Sequence, residues 1–172
     1  MMKEVLKDLA AYHGWADKRL LDAACKLPAE GTDREVQSSF PSLRKTVEHL
    51  FWSEGVWLQR LQMQEKVVVS RAFEGDFAAL AASLKALDGT LSEWLDAQKE
   101  TLFEHTIAYY NTEKKYFKMP VYQCLLHFFN HGTYHRGQIV TIFHQLGVTK
   151  IPPTDYIVFK RLPGKNHGPQ SL

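Results

Sequence analysis

The chain contains 172 residues, of which 45% are hydrophobic and 12% aromatic. This length is typical of one domain, and the apolar content excludes a chain that is disordered by composition. The 21 Lys and Arg residues nearly balance the 19 Asp and Glu residues, which leaves a net charge of +2. A dedicated nucleic-acid-binding domain is strongly basic, so we expect no nucleic-acid partner.

Neither the N-terminus nor the cysteines indicate export. Residues 1–6 mix charged and apolar side chains and lack the unbroken apolar stretch of a signal peptide. No window approaches the roughly 20 apolar residues of a membrane-spanning helix. Cys25 and Cys124 lie far apart and do not constitute a disulfide framework. We therefore expect a cytoplasmic protein that makes no membrane contact.

Hydrophobic periodicity predicts two helices in the first half of the chain. From residue 2 to residue 27 the apolar residues recur every three or four positions, as on one buried helical face, and Pro28 ends the pattern. Residues 29–39 are polar and predict a loop. Ser42 is a favourable N-cap for a second helix that runs to about residue 65. Glu54 interrupts the apolar row of that helix.

The second half predicts two more helices separated by a hairpin. A third helix covers residues 77–99, with Gly89 as a site for a kink or break. Residues 103–119 alternate and predict a β-hairpin. Pro120 opens the last long helix and Gly147 ends it, before a mostly irregular tail. The elements predict an all-α four-helix bundle with a small β-hairpin before the last long helix, in a single domain spanning 1–172.

The last predicted helix carries three histidines, His127, His131 and His135, spaced four apart. Four residues advance about 40° around a helix. His135 therefore shares the direction of the apolar stripe, His131 lies about 40° from it and His127 lies about 80° from it, on the boundary. Two inward imidazoles on adjacent turns can share one metal ion. The alternative is a pair of core histidines that only pack or form hydrogen bonds.

Common metal and nucleotide motifs are absent. A zincin needs Glu directly after the first His of its pair, whereas Gly132 stands there. Di-iron bundles need Glu three residues before His, and none of the 8 histidines meets that requirement. No phosphate loop, dinucleotide fingerprint or nucleophile elbow occurs. A third ligand must come from another helix, and spacing does not choose among His13, His49 and Glu54.

Two motifs resemble the DinB/YfiT superfamily of metal-binding four-helix bundles. The stretch from Asn130 to Gln138, NHGTYHRGQ, is similar to the N-H-x-x-x-H-R-G-Q signature of that superfamily. His49-Leu50, followed by Glu54 and Trp57, resembles its H-L…E…W pattern. Weaker similarity in the first helix and in residues 152–156 extends the resemblance over nearly the whole chain.

The resemblance implies that His49, His131 and His135 bind the metal and that water completes the site. His13 stands where similar chains often have Asn. We expect it to be a core histidine that donates a hydrogen bond, and the alternatives are contact with a metal ligand or competition for the metal. Gln138 lies about 60° from His135 around the helix and is a candidate for orienting a ligand. Glu54 is a further candidate for a hydrogen bond to a metal ligand, and its alternative is a pairing with Arg136.

Three protein ligands with one open position are the arrangement of a catalytic metal site. We expect Zn²⁺, with Ni²⁺, Fe²⁺ and Mn²⁺ as alternatives that imidazole ligands do not distinguish. Characterised members of the superfamily include transferases and isomerases that use low-molecular-weight thiols. The resemblance thus implies a metal-dependent enzyme that activates a small thiol or water for transfer to a small-molecule substrate. The alternative is a non-enzymatic, stress-associated metal-binding homodimer, since no catalytic residue beyond the ligands is evident.

Overall fold

The computed structural model describes residues 1–163, which form four long helices, two short helices, one 3-10 helix and a two-stranded hairpin. In chain order the elements are α1 (Met2–Ala24), α2 (Ala29–Asp33), α3 (Leu43–Leu61), α4 (Phe77–Ala97), the 3-10 helix Glu100–Glu104, β1 (Thr106–Tyr110), β2 (Tyr116–Pro120), α5 (Val121–Gln145) and α6 (Tyr156–Lys160). The predicted all-α bundle with a hairpin before the last long helix is confirmed.

Local sequence signals set several helix ends. The Ser42 hydroxyl accepts a hydrogen bond from the backbone N–H of Lys45, and the Asp76 carboxylate accepts one from Ala79. Both satisfy backbone donors that a helix start leaves free. Gly147 adopts φ of +80° just after α5, the left-handed conformation that commonly follows a helix.

The four long helices bury two apolar clusters separated by a polar level. α1 packs on α4 and α5, and α3 also packs on α4 and α5. One cluster fills the end of the bundle beside the hairpin, and the other fills the opposite end. At the level between them every long helix turns a buried polar side chain inward: His13 and Asp17 on α1, Glu54 on α3, Asp88 on α4 and Arg136 on α5.

The hairpin covers one end of the bundle. Strand β1 pairs antiparallel with β2, in a register that joins Thr106 to Pro120 and Tyr110 to Tyr116. Ile107 is buried among the apolar residues of that end, which ties the hairpin to the helices. The hairpin thereby forms one wall beside α3 and α5.

Several predicted boundaries differ from those of the structure. The first helix ends at Ala24 rather than residue 27, because Pro28 disfavours a helical conformation in the residue before it. The second predicted helix ends at Leu61 rather than residue 65, because Met63 takes a positive φ of 55°, which a right-handed helix does not allow. Gly89 causes no break, since apolar packing before and after it keeps α4 continuous.

Three short helical elements were not predicted from the sequence. The loop at residues 29–39 contains α2, the start of the predicted hairpin is the 3-10 helix, and the tail contains α6. Such short helices lack a full hydrophobic period. The rest of the tail, residues 164–172, lies outside the described residues, and the single domain over 1–172 stays a prediction. No helix of residues 1–163 combines the length and apolar character needed to cross a membrane.

Candidate metal centre

Three imidazoles from two helices converge at the side of the bundle. The Nε2 atom of His131 lies 3.2 Å from Nε2 of His49 and 3.0 Å from Nε2 of His135. One nitrogen from each of the three rings lies within 4.8 Å of the other two. α5 supplies His131 and His135 from adjacent turns, and α3, which packs against α5, supplies His49. We call these three residues the histidine triad.

Contacts behind the triad fix the orientation of two rings. Nδ1 of His135 lies 2.7 Å from the Gln138 side-chain oxygen, to which it donates a hydrogen bond, and the Gln138 amide group donates to the Ser39 hydroxyl over 2.7 Å. With its proton on Nδ1, neutral His135 presents a lone pair at Nε2. The Phe40 ring stacks on His49 with 4.4 Å between ring centres.

Burial keeps the triad neutral. Burial together with the neighbouring imidazoles lowers the pKa of His131 to about 3, and burial together with His135 and Arg71 lowers that of His49 to about 4. Burial also lowers the pKa of His135. A metal ion binds the neutral imidazole, so the rings are already in the ligand state near pH 7.

The donor set fits a divalent transition metal. Nitrogens that bind zinc tetrahedrally at about 2.0–2.1 Å lie roughly 3.3–3.4 Å from one another, and the nitrogen–nitrogen distances of 3.2 Å and 3.0 Å at His131 are only slightly shorter. His49 and His131 also border a groove of about 400 Å³ between α3, α5 and the hairpin. The triad is therefore reachable from the surface by a small molecule.

A second group of polar residues is buried at the centre of the bundle. Nε2 of His13 lies 3.0 Å from a carboxylate oxygen of Asp17, 3.2 Å from one of Glu54 and 3.5 Å from one of Asp88. These four side chains come from α1, α3 and α4, and all four are buried. We call them the buried carboxylate group.

Arg136 of α5 completes the surroundings of this group. Its Nη1 atom donates hydrogen bonds to Asp17, over 3.0 Å, and to Nδ1 of His13, over 3.1 Å. Its Nη2 atom donates to the hydroxyl of Thr133. Because a guanidinium only donates, the contact with Arg136 favours a lone pair on Nδ1, and Nε2 carries a proton that faces the carboxylates. Burial lowers the pKa of His13, but Asp17, Glu54 and Asp88 outweigh it and raise that pKa well above its ordinary value of 6.5.

The three carboxylates differ in charge. Burial favours the neutral form of Asp17, but His13 and Arg136 outweigh it and lower the pKa of Asp17 to about 2. Burial raises the pKa of Glu54 to about 7, a rise that His13 opposes and that Asp88 and Asp17 increase. Burial likewise raises the pKa of Asp88 to about 6. Asp17 therefore forms an ion pair with Arg136, whereas Glu54 and Asp88 hold protons more readily than exposed carboxyl groups do.

The buried carboxylate group could hold a metal ion, since its four ligand atoms lie within 4.8 Å of one another. An ion bound there through His13 would have to displace the proton on Nε2 while Arg136 still faces Nδ1. The triad has no such conflict at His135. The chemistry of the donor atoms therefore favours the triad over the buried carboxylate group as the candidate metal centre.

The structure distributes the predicted site residues over the two groups. His49, His131 and His135 come together, and Gln138 contacts His135. His13 and Glu54, the other candidates for contacting a ligand, lie together in the buried carboxylate group. The ring of His127 lies beside the triad, with its centre 5.7 Å from that of His131.

Four residues that surround these sites were not found from the sequence: Asp17, Ser39, Phe40 and Asp88. A signal existed for two of them. Asp17 follows His13 by four residues, on the same helical face, and Asp88 interrupts the leucine row of α4 as Glu54 interrupts that of α3. Ser39 and Phe40 lie in the irregular segment before α3, which carries no periodic signal.

The fold and the triad define the chain as a four-helix bundle that gathers imidazoles from two of its helices. Comparison with known families specifies it further. The model of the DinB family matches residues 1–167, and the chain belongs to that family.

One curated relative and one solved structure illustrate the relationship. Protein DinB of Bacillus subtilis (strain 168) is 30% identical over 169 residues, covering 90% of this chain and 93% of the relative. The crystal structure of a DinB-like protein from Bacillus cereus ATCC 10987 superposes with a TM-score of 0.67 at 17% identity, covering 83% of this chain and 91% of that one. This second similarity supports the fold.

Proposed function

We propose that His49, His131 and His135 bind a divalent transition metal and that the protein is a metal-dependent enzyme acting on a small molecule. Zn²⁺ is the metal we propose first, and Ni²⁺, Fe²⁺ and Mn²⁺ suit the same three imidazoles. The substrate class is a low-molecular-weight thiol, or water, that is transferred to a small-molecule acceptor. When bound, the metal lowers the pKa of a coordinated thiol or water.

The observation that carries the proposal is the convergence of three neutral imidazole nitrogens at an open groove. Three protein ligands leave a coordination position for a substrate, whereas structural zinc sites usually have four protein ligands. Gln138 holds His135 in the tautomer that a ligand needs. Phe40 covers one face of His49 and excludes water from that side. Trp52 and Trp57 border the groove and offer apolar surface to an acceptor.

Elemental analysis of protein purified without added metal tests the proposed metal binding. The wild type should contain a stoichiometric transition metal, and His131→Ala should lose it because His131 contacts both other imidazoles. His127→Ala is the matched control, since it removes the next histidine on the same helix and should leave the metal in place. Equal metal content in the His131→Ala variant and the wild type would contradict the site.

A transfer assay tests the proposed enzymatic activity. The metal-loaded wild type is mixed with a panel of small thiols and an aryl halide, and thioether formation is followed by mass spectrometry. We expect conjugation that depends on the triad and disappears in His131→Ala. Full metal binding without turnover of any thiol or of water would favour the non-enzymatic alternative.

Other properties expected from the sequence stay predictions. They are the homodimer, the cytoplasmic location and the lack of nucleic-acid binding. Sedimentation equilibrium of the metal-loaded protein tests the first, and a filter-binding assay with duplex DNA tests the last.

A further inference from the structure

Arg60, near the C-terminal end of α3, is a half-buried cation held between two aromatic rings. Its Cζ atom lies 4.8 Å from the ring centre of Trp57 and 4.6 Å from that of Tyr109. Its Nη2 atom donates a hydrogen bond to the carbonyl oxygen of Tyr110 over 2.7 Å. Burial lowers the pKa of Arg60. The structure therefore withdraws a guanidinium from water within the aromatic wall of the groove.

This guanidinium has no counter-ion in the described part of the chain. No carboxylate of residues 1–163 forms an ion pair with it, and none contributes to its pKa shift. The one hydrogen bond to Tyr110 uses one of the five N–H donors of the side chain. The remaining N–H donors are free to bind an anion, and an anion supplied by a ligand would form a charge-assisted hydrogen bond there.

Arg60 and the triad border the same groove of about 400 Å³, a volume typical of a small-molecule site. A row of aromatic rings connects Arg60 to the triad. The ring centre of Trp57 lies 4.9 Å from that of His127, which in turn lies 5.7 Å from that of His131. On the hairpin side, Phe117 remains 40% exposed and stacks against Tyr109. Flat apolar ligands pack well against such surfaces.

We propose that this groove binds an aromatic anion, with its negative group on Arg60 and its flat body along Trp57 and Phe117. This inference relies on the proposed function only for the direction of the ligand, whose reactive end would face His131. Arg60 follows His49 by eleven residues on α3, a rise of about 16 Å along the helix axis. The acceptor substrate would thus carry its negative group and its reactive position at opposite ends of an aromatic ring system.

Binding of two matched probes tests the anion site without any assumption about catalysis. Naphthalene-2-carboxylate and the neutral naphthalene-2-carboxamide have the same ring system and differ in charge. Affinities are measured by isothermal titration calorimetry with the wild type and with His131→Ala. We expect the carboxylate to bind about 10- to 100-fold more tightly than the amide in both proteins, as for a hydrogen bond to a charged group.

Variants of Arg60 identify the residue responsible. Arg60→Gln should bind both probes with similar affinity, and Arg60→Lys should keep a reduced preference for the carboxylate. Arg71→Gln is the matched control, because Arg71 also lies over a tryptophan, Trp52, but does not itself line the groove. It should retain the full preference.

Three outcomes would overturn the inference. They are equal affinities of the two probes in the wild type, an unchanged preference in Arg60→Gln, and loss of both probes in Arg60→Gln and Arg60→Lys alike. The last would mean that Arg60 only holds the hairpin against α3. A carboxylate preference in a protein that lacks metal and turnover would sustain the anion site and reject the proposed function, so the two can fail separately.

Discussion

Arg136 donates a hydrogen bond to Nδ1 of His13 over 3.1 Å, from the position directly after the triad residue His135. The contact joins the two polar sites of the bundle, because one turn of α5 carries both a triad histidine and the guanidinium that contacts the buried carboxylate group. His13 packs closely against that same turn. A Cβ atom at Gly132 would lie 2.3 Å from Cε1 of His13. The lack of a side chain at Gly132 is thus what lets His13 reach Arg136.

Replacement of Gly132 by Ala should destabilise the protein although Ala is the better helix former. The added methyl group would overlap the His13 ring and force it from the buried carboxylate group. We expect a loss of about 2 kcal/mol or more in the free energy of unfolding, as for overpacking of a rigid core. Urea denaturation followed by circular dichroism measures it.

Gly137→Ala is the matched control on the same helix. A Cβ atom there meets no atom within 4 Å, so this variant should gain roughly 0.5–1 kcal/mol from helix propensity. Equal effects of the two substitutions would contradict the close packing of His13 on α5.

Glu54 should make the stability of the protein depend on pH. Its pKa is about 7 in the folded state against an ordinary value of 4.5, so the folded protein holds a proton that the unfolded chain releases. The stabilising effect of that proton is complete below pH 4.5 and is lost as the pH rises through 7. This loss is worth roughly 3 kcal/mol by linkage. Glu54→Gln should remove it, which urea denaturation at pH 5 and pH 8 will measure.

Glu93→Gln is the control, since Glu93 is an exposed carboxylate of α4. It should leave the pH dependence of the wild type unchanged. If Glu54→Gln lost as much stability between pH 5 and pH 8 as the wild type does, the raised pKa of Glu54 would be wrong.

The fold was largely predictable because its determinants are local. Apolar periodicity identified the four long helices, and Ser42 and Gly147 marked ends that the structure retains. The short elements were missed for the opposite reason. A helix of five residues, such as α2 or α6, is shorter than the repeat by which a buried face is recognised.

The sites were predictable only where one helix holds their residues. Spacing alone predicted that His131 and His135 lie on the same side of their helix. His49 was selected only by the resemblance to the DinB/YfiT superfamily. The buried carboxylate group depends on the register between helices, which places Asp17, Glu54 and Asp88 at one level. A single sequence carries no information on that register. A carboxylate that interrupts a leucine row indicates only that something polar lies opposite.

Gln138 should contribute to metal affinity without binding the metal. Its side-chain oxygen accepts the Nδ1 proton of His135, which fixes the ring with Nε2 toward the other imidazoles. Removal of such an outer partner typically costs 10- to 100-fold in metal affinity. We therefore expect the zinc affinity of Gln138→Ala, measured by competitive titration, to be lower than that of the wild type by about this factor. Gln123→Ala, an exposed glutamine of the same helix, should bind zinc as the wild type does. A wild-type affinity in Gln138→Ala would mean that Gln138 does not orient His135.

The affinity of the triad for zinc should resist mild acid. Protons compete with the metal only below the pKa values of the ligands, and burial lowers those of His49 and His131 to about 4 and about 3. We therefore expect little change in zinc affinity between pH 7 and pH 5 and a steep fall below about pH 4. Competition with a chelator of known pH dependence, at each pH, measures the affinity.

The same pKa shifts act in the opposite direction on the metal-free protein. The unfolded chain takes up protons on its histidines from about pH 6.5 downward, whereas the folded triad does not. The stability that the neutral triad contributes is therefore complete above pH 6.5 and is lost as the pH falls toward 4. His131→Ala should weaken this acid sensitivity in metal-free samples, while His144→Ala, an exposed histidine at the end of α5, should not. Loss of zinc affinity beginning near pH 6.5, together with acid sensitivity identical in the two variants, would mean that the three rings titrate as free imidazoles.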